Sequence, residues 1–129
     1  MVLTQMIYTS QPFGFDDAML NGILVQARRN NPAWDITGCL ICRHDLYLQL
    51  LEGPEAAIDT LYNRIKADDR HLEVVQLSRE TVDTRLFPDW AMRDDPAQSW
   101  LWPPGAVAAG ALHQATPEAL RAVFARVNG

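Results

Sequence analysis

From Leu3 to Ser10 the side chains alternate. Thr4, Met6, Tyr8 and Ser10 fall on one side, and Leu3, Gln5, Ile7 and Thr9 on the other. A period of two in residues that favour extended backbone predicts a strand, which Gln11-Pro12-Phe13-Gly14 ends. Asp16 then stands where a helix cap belongs, and Met19, Leu20, Ile23, Leu24 and Ala27 recur at helical intervals. Asn30-Asn31-Pro32 closes that helix, because proline disfavours helical backbone in the residue before it. Ile36–Arg43 and Leu46–Glu52 read as two strands of a hairpin turning at His44-Asp45. Gly53-Pro54-Glu55 opens a second helix, with proline near its first turn and Ala57, Ile58, Leu61, Tyr62 and Ile65 as its apolar stripe. Asp68-Asp69-Arg70 ends it.

Leu72–Val82 gives a fourth strand, and Arg85–Met92 is expected to be a fifth. The order β-α-β-β-α-β with one added strand predicts an α+β, ferredoxin-like mixed sheet carrying two helices on one face. Asp94–Gly110, rich in proline, tryptophan and alanine, reads as ordered loop. Thr116-Pro117-Glu118 starts a final helix with Leu120, Val123, Phe124 and Val127 on its apolar side. The expected division is a domain at residues 1–93 and a C-terminal extension at 94–129. That extension is expected to serve as a helical cap on the open sheet face, since a bare face must be covered, or else as a docking surface.

Charge and length narrow the classes of function. Eleven Lys and Arg against sixteen Asp and Glu leave a net charge of −5 over 129 residues. Such a balance opposes nucleic-acid binding, which requires a positive footprint, and opposes docking on anionic membranes. No apolar run approaches the roughly 18 residues of a membrane span. The N-terminus lacks a basic segment followed by an apolar one, so no signal peptide is expected, and two cysteines fit a reducing cytoplasm. Cys39 and Cys42 form a C-x-x-C, but three residues along a strand point to opposite faces, and no second pair completes a zinc site. They are expected to be buried thiols without a metal.

Two polar residues stand out. Gln49 lies inside Leu-Tyr-Leu-Gln-Leu-Leu-Glu, sharing a face with Tyr47 and Leu51, and Tyr8 is a phenol in apolar company. An unpaired buried amide costs about 1–3 kcal/mol, so each needs a partner, found in the backbone or in the other. Between the two helices, a groove walled by Ile23, Ala27 and Ile65 would open among Arg28, Arg29, Arg64, Lys66 and Arg70. Apolar walls with a cationic mouth suit a flat ring bearing an anionic phosphate tail. No glycine-rich phosphate loop is present.

Five blocks then fall in order: Tyr8-Thr9-Ser10; Asn30-Asn31 with Ile36-Thr37-Gly38; Gln49-Leu50-Leu51-Glu52-Gly53; Asp68-Asp69-Arg70-His71; and Arg85-Leu86-Phe87-Pro88-Asp89-Trp90-Ala91-Met92. Together, over residues 3 to about 92, the chain resembles the BLUF family, blue-light sensors using FAD. The resemblance implies a non-covalent flavin between the two helices (FAD, with FMN or riboflavin as alternatives). It implies Tyr8 as the redox-active phenol, Gln49 as the switching amide, and Trp90 and Met92 as the light-responsive pair before the tail. Asn31 would bond the flavin ring with Asn30 beside it, Ile23 and Ile65 would flank the ring, and Arg64 and Asp68 would lie towards the ribityl-phosphate. In the family, light moves an electron and a proton from tyrosine to flavin and leaves the glutamine hydrogen bonds rearranged.

The resemblance therefore implies a photoreceptor and not an enzyme, signalling from the cytoplasm to a separate protein in trans and self-associating as a homo-oligomer. The short tail, too small for an output domain, points the same way. At Tyr47 the family has phenylalanine, so Tyr47 is either a packing aromatic or a second donor. The competing reading is a small ferredoxin-like enzyme or ligand-binding module with Tyr8, Gln49 and His71 around a pocket; it lacks an obvious nucleophile or paired base.

Overall fold

The computed structural model describes residues 2–12, 17–68, 71–89, 92–96 and 101–128. The strands are β1 (Leu3–Pro12), β2 (Thr37–Arg43), β3 (Leu46–Gly53), β4 (His71–Val82) and β5 (Arg93–Pro96). The helices are α1 (Asp17–Asn30), α2 (Glu55–Lys66), α3 (Pro104–Ala108), α4 (Ala111–Gln114) and α5 (Pro117–Asn128). One mixed sheet of order β4-β1-β3-β2-β5 carries them, antiparallel throughout except for the parallel β2–β5 pair. The α+β, ferredoxin-like expectation holds. Asp16, Asp69, Arg70 and Trp90 lie outside the described residues.

Strand parity sorts the core into two layers. Met6, Tyr8, Leu40, Cys42, Tyr47 and Leu51 meet Ile23 and Leu24 of α1 and Ile58 of α2 on one face. Ile7, Cys39, Ile41, Leu46, Leu48 and Leu50 meet Phe87, Leu101, Leu112, Leu120, Val123 and Phe124 on the other. The C-terminal segment thus covers the second sheet face, burying apolar surface worth about 1.5–3 kcal/mol for each fully covered large side chain. Cys39 and Cys42 are buried thiols outside any disulfide, on opposite faces, as the strand period requires. Among the described residues no cluster of metal-ligating side chains forms, and no helix is long and apolar enough to cross a membrane.

Local chemistry explains the element ends. Pro54 caps α2, its carbonyl accepting from Ile58 at 3.0 Å, with Glu55 in the first turn and Arg64 and Lys66 in the last, complementing the helix dipole. The Thr116 hydroxyl accepts the Ala119 N–H at 3.1 Å and starts α5. Gly38 faces β3 so closely that a Cβ there would lie 2.0 Å from the Leu50 carbonyl oxygen, which only glycine tolerates.

Two expectations fail. The fifth strand is not Arg85–Met92: residues 85–89 form turns, and β5 begins at Arg93. The N–H groups of Leu86 and Phe87 donate to the buried Glu52 carboxylate, and Pro88 has none, so residues 86–88 have no donors to offer a sheet ladder. Nor is Asp94–Gly110 only loop. It opens with strand residues of β5 and contains α3, where Pro104 takes a first-turn position after Pro103. Its alanine-rich sequence carries too weak a stripe to announce a five-residue helix.

Candidate functional site

A cleft open to solvent on one side lies between α1, α2 and the sheet. Its two walls are helix faces of identical spacing. Ile23, Gln26, Ala27 and Asn30 come from α1, and Leu61, Arg64, Ile65 and Asp68 from α2 and the residue positions just after it. Both are i, i+3, i+4, i+7 sets, so one side of each helix faces the opening. Asn31 and Trp34 close one end, where α1 gives way to a 3-10 turn at Pro32–Trp34. Tyr8 and Gln49 form the floor.

The floor depends on register. Tyr8 of β1 stands directly opposite Gln49 of β3, and Gln49 stands opposite Leu40 of β2. On its other side Tyr8 faces Gln76 across a register shift in the β1–β4 pair, a bulge of the kind that re-aims side chains at functional sites. The Tyr8 hydroxyl donates to Gln49 Oε1, and Gln49 Nε2 donates to Met92 Sδ at 3.0 Å. Arg28 of α1 donates through Nε to the Met92 carbonyl at 3.2 Å, fixing that residue's backbone as well. The four buried groups form one continuous row: phenol, amide, thioether, guanidinium-held carbonyl.

Electrostatics hold Tyr8 in its protonated form. Complete burial pushes its phenol far above the ordinary tyrosine range, and the neighbouring Tyr62, Asp68 and Tyr47 push it further the same way. The Tyr62 ring lies 5.8 Å from that of Tyr8 at a tilt of 56°, and burial raises its phenol too. At the mouth, the Arg64 guanidinium sits 4.6 Å over the Trp34 ring, a cation–π contact that steadies its charge at the opening.

Every residue expected around a bound ring lines this one cleft: Ile23, Asn30, Asn31, Gln49, Arg64, Ile65 and Asp68, with Tyr8 beneath. Met92 reaches the site through Gln49; Trp90 lies outside the described residues. Of the expected cations among the described residues, only Arg64 lines the opening. Arg28 turns to Met92, and Lys66 lies 5.0 Å over the Tyr62 ring. Gln26, Leu61 and Trp34 were not anticipated as lining. Gln26 and Leu61 complete the two helical faces already marked by Asn30 and Ile65, whereas Trp34 follows a proline turn that no periodicity describes.

The residues present fit a flavin. The cleft's aliphatic walls suit the faces of a flat ring, the carboxamides of Gln26, Asn30, Asn31 and Gln49 offer donors and acceptors for a polar edge, and Arg64 suits a phosphate. Tyr8, Arg64 and Asp68 are the lining residues that titrate, and no nucleophile–base pair is among them. Tyr47 is fully buried on the same sheet face as Tyr8.

Comparison with known proteins agrees. Residues 3–93 match the family described as "BLUF: Sensors of blue-light using FAD". The photoactivated adenylate cyclase subunit beta of Euglena gracilis is 36% identical over 94 residues, covering 70% of this chain and 11% of that protein. The chain therefore spans about a tenth of the length of that curated relative. The dark-state structure of BlrB, a BLUF protein, superposes with a TM-score of 0.80 at 28% identity, covering 98% of this chain and 95% of that one. Klebsiella pneumoniae BlrP1, solved with FMN and cyclic diGMP, gives a TM-score of 0.68 at 31% identity, covering 83% of this chain and 29% of that one. The match over residues 3–93, with a cleft between two helices over a tyrosine–glutamine floor, places the chain in the BLUF family of blue-light sensors that bind flavin.

Proposed function

We propose that the sensor works by reversing the Gln49 carboxamide between Tyr8 and Met92, and that it reports the change to another protein without catalysing a reaction itself. The observation that supports this most is the hydrogen-bonded row on the cleft floor. The flavin, when bound, supplies blue-light absorption and, once excited, an acceptor for one electron and one proton. Tyr8 is suited to give them up, because its hydroxyl keeps its proton and is aimed at an amide oxygen. Gln49 can relay that proton, since its oxygen accepts while its nitrogen donates.

When the electron and the proton have both returned to Tyr8, the amide would be left turned or as its other tautomer. Turned, it would present Nε2 to the phenol and Oε1 to the Met92 sulfur, two acceptors in contact where a donor had been. Met92 must then shift, and with it the start of β5. Ile23 and Ile65 would hold the ring between the helices, Asn30 and Asn31 its polar edge, and Arg64 and Asp68 its tail. Trp90 belongs to the same light-responsive pair as Met92.

Residues 1–93 act in this reading as the sensing unit and 94–129 as the output extension. Reception of the output in trans, homo-oligomerisation and a cytoplasmic setting are part of the same proposal. The test is spectroscopic. The yellow protein should show a flavin band that shifts red under blue light and returns in darkness, and Tyr8→Phe should remain yellow without shifting. A full photocycle in Tyr8→Phe would overturn the assignment.

A further inference from the structure

Gln49 and Glu52 belong to one strand but face opposite sides of the sheet. Gln49 looks into the cleft, whereas Glu52, fully buried, lies on the face covered by the C-terminal helices. Glu52 Oε1 accepts from the N–H groups of Leu86 at 2.8 Å and Phe87 at 2.9 Å. Its Oε2 accepts from Leu86 at 2.8 Å and from Gln5 Nε2 at 3.0 Å. Arg85 tightens the same knot, donating to the Glu52 carbonyl at 3.0 Å, to Thr37 Oγ1 at 2.8 Å and to the Asp35 carbonyl at 2.7 Å. A charged acceptor buried among N–H donors makes strong, directional bonds, so residues 85–87 are anchored to the end of β3.

What this anchors is the crossing between the two faces. The Phe87 ring meets Phe124 of α5 edge-on, with centroids 6.4 Å apart at 89°, both fully buried. Met92, five positions later in the chain, accepts from Gln49 on the cleft side. A short segment therefore touches the switching amide at one end and the output helix at the other. Glu52 holds its near end to the strand that carries the amide.

We infer that Glu52 is the positioning residue that couples Gln49 to α5. With residues 85–87 pinned to β3, a shift of that strand with the amide it carries is passed through Glu52 to Phe87 and the Phe87–Phe124 contact, and is not absorbed by slack in the segment. Without the pin, the segment yields and α5 no longer senses the cleft. This rests on the proposed Gln49 switch, and its failure is separable from failure of that switch.

The experiment is hydrogen exchange of the flavin-loaded full chain in darkness and under blue light, with the red shift recorded on the same samples. In the unsubstituted protein the shift should be accompanied by a light-dependent change in exchange across residues 117–128. Glu52→Ala should keep the shift and lose that change. Glu52→Gln should restore it, because one amide oxygen can still accept from Leu86 and Phe87 while the Gln5 carboxamide turns to accept from the new NH2. Phe124→Leu, which leaves Glu52 and the cleft intact, should also separate shift from response, and it decides the matter if Glu52→Ala does not fold. A shift without any change in 117–128, or a full change in Glu52→Ala or Phe124→Leu, would overturn the inference while leaving the photochemistry standing. Absence of the shift from the unsubstituted protein would remove the switch and this coupling together.

Discussion

Tyr8 and Gln49 are register partners on adjacent antiparallel strands, and the buried phenol of the first donates to the amide oxygen of the second. Their 41-residue separation in sequence closes to a single hydrogen bond because β1 and β3 lie side by side at the centre of the sheet. Four predictions start from this pair and its surroundings.

The pH dependence follows from burial. Tyr8 is held protonated well above the usual tyrosine range, so the amplitude of the red shift should be flat between pH ~6 and ~9. Stability should behave differently in alkali. The unfolded chain releases tyrosine protons near pH ~10 while the folded chain retains them, so the unfolded state binds fewer protons and stability falls as pH rises through that value. Tyr62, raised in the same direction, adds to the fall. Denaturant midpoints taken from pH ~8 to ~11 should therefore decline in the parent and decline less steeply in Tyr8→Phe.

Gln49→Leu removes an acceptor from Tyr8 and a donor from Met92 together. The protein should still bind flavin through the cleft walls, lose its red shift, and be less stable by about 1–3 kcal/mol, the cost of a buried hydroxyl left without an acceptor. Met92→Leu is milder, since it keeps the volume and removes only the sulfur acceptor. The shift should survive, while the dark state loses about 1 kcal/mol of hydrogen bonding, so that dark recovery slows by about five-fold. Unchanged recovery in Met92→Leu would show that the thioether contact carries no part of the switch.

Arg64 is held over Trp34 at the cleft mouth, placed for an anionic tail. Arg64→Ala should weaken the binding of phosphate-bearing flavins by about 1.5–3 kcal/mol, roughly ten- to a hundred-fold, and leave riboflavin binding nearly unchanged. Equilibrium titration with FAD, FMN and riboflavin reads this directly.

Gly38 tests the frame. A methyl group at this position must push the Leu50 carbonyl away from a strand pair that sits one residue from Gln49. Gly38→Ala should cost about 2 kcal/mol or more, seen as a lower urea midpoint with unchanged slope.

The strands and helices that build the cleft were readable from periodicity, because each obeys a local rule. Alternation grouped Met6 with Tyr8 along β1 and Gln49 with Tyr47 and Leu51 along β3, and along β2 it separated Cys39 from Cys42. Helical spacing put Ile23 and Ala27 on one wall and Ile65 on the other, and the resemblance to the family added Asn30, Arg64 and Asp68. Order and spacing of the five motif blocks carried the resemblance to the family. What the chain could not disclose locally was where non-local partners would meet. Only strand register set Tyr8 against Gln49, and only tertiary contact brought Met92 to the amide and Arg28 to Met92. The expected strand at Arg85–Met92 failed for the same reason: the N–H groups of Leu86 and Phe87 are taken by Glu52, a carboxylate more than thirty positions away, whose pull no pattern within the segment reveals. Periodicity records which side of an element avoids water, whereas a hydrogen bond across the sheet depends on how far one strand slides against another, and that sliding is settled only when the whole core packs.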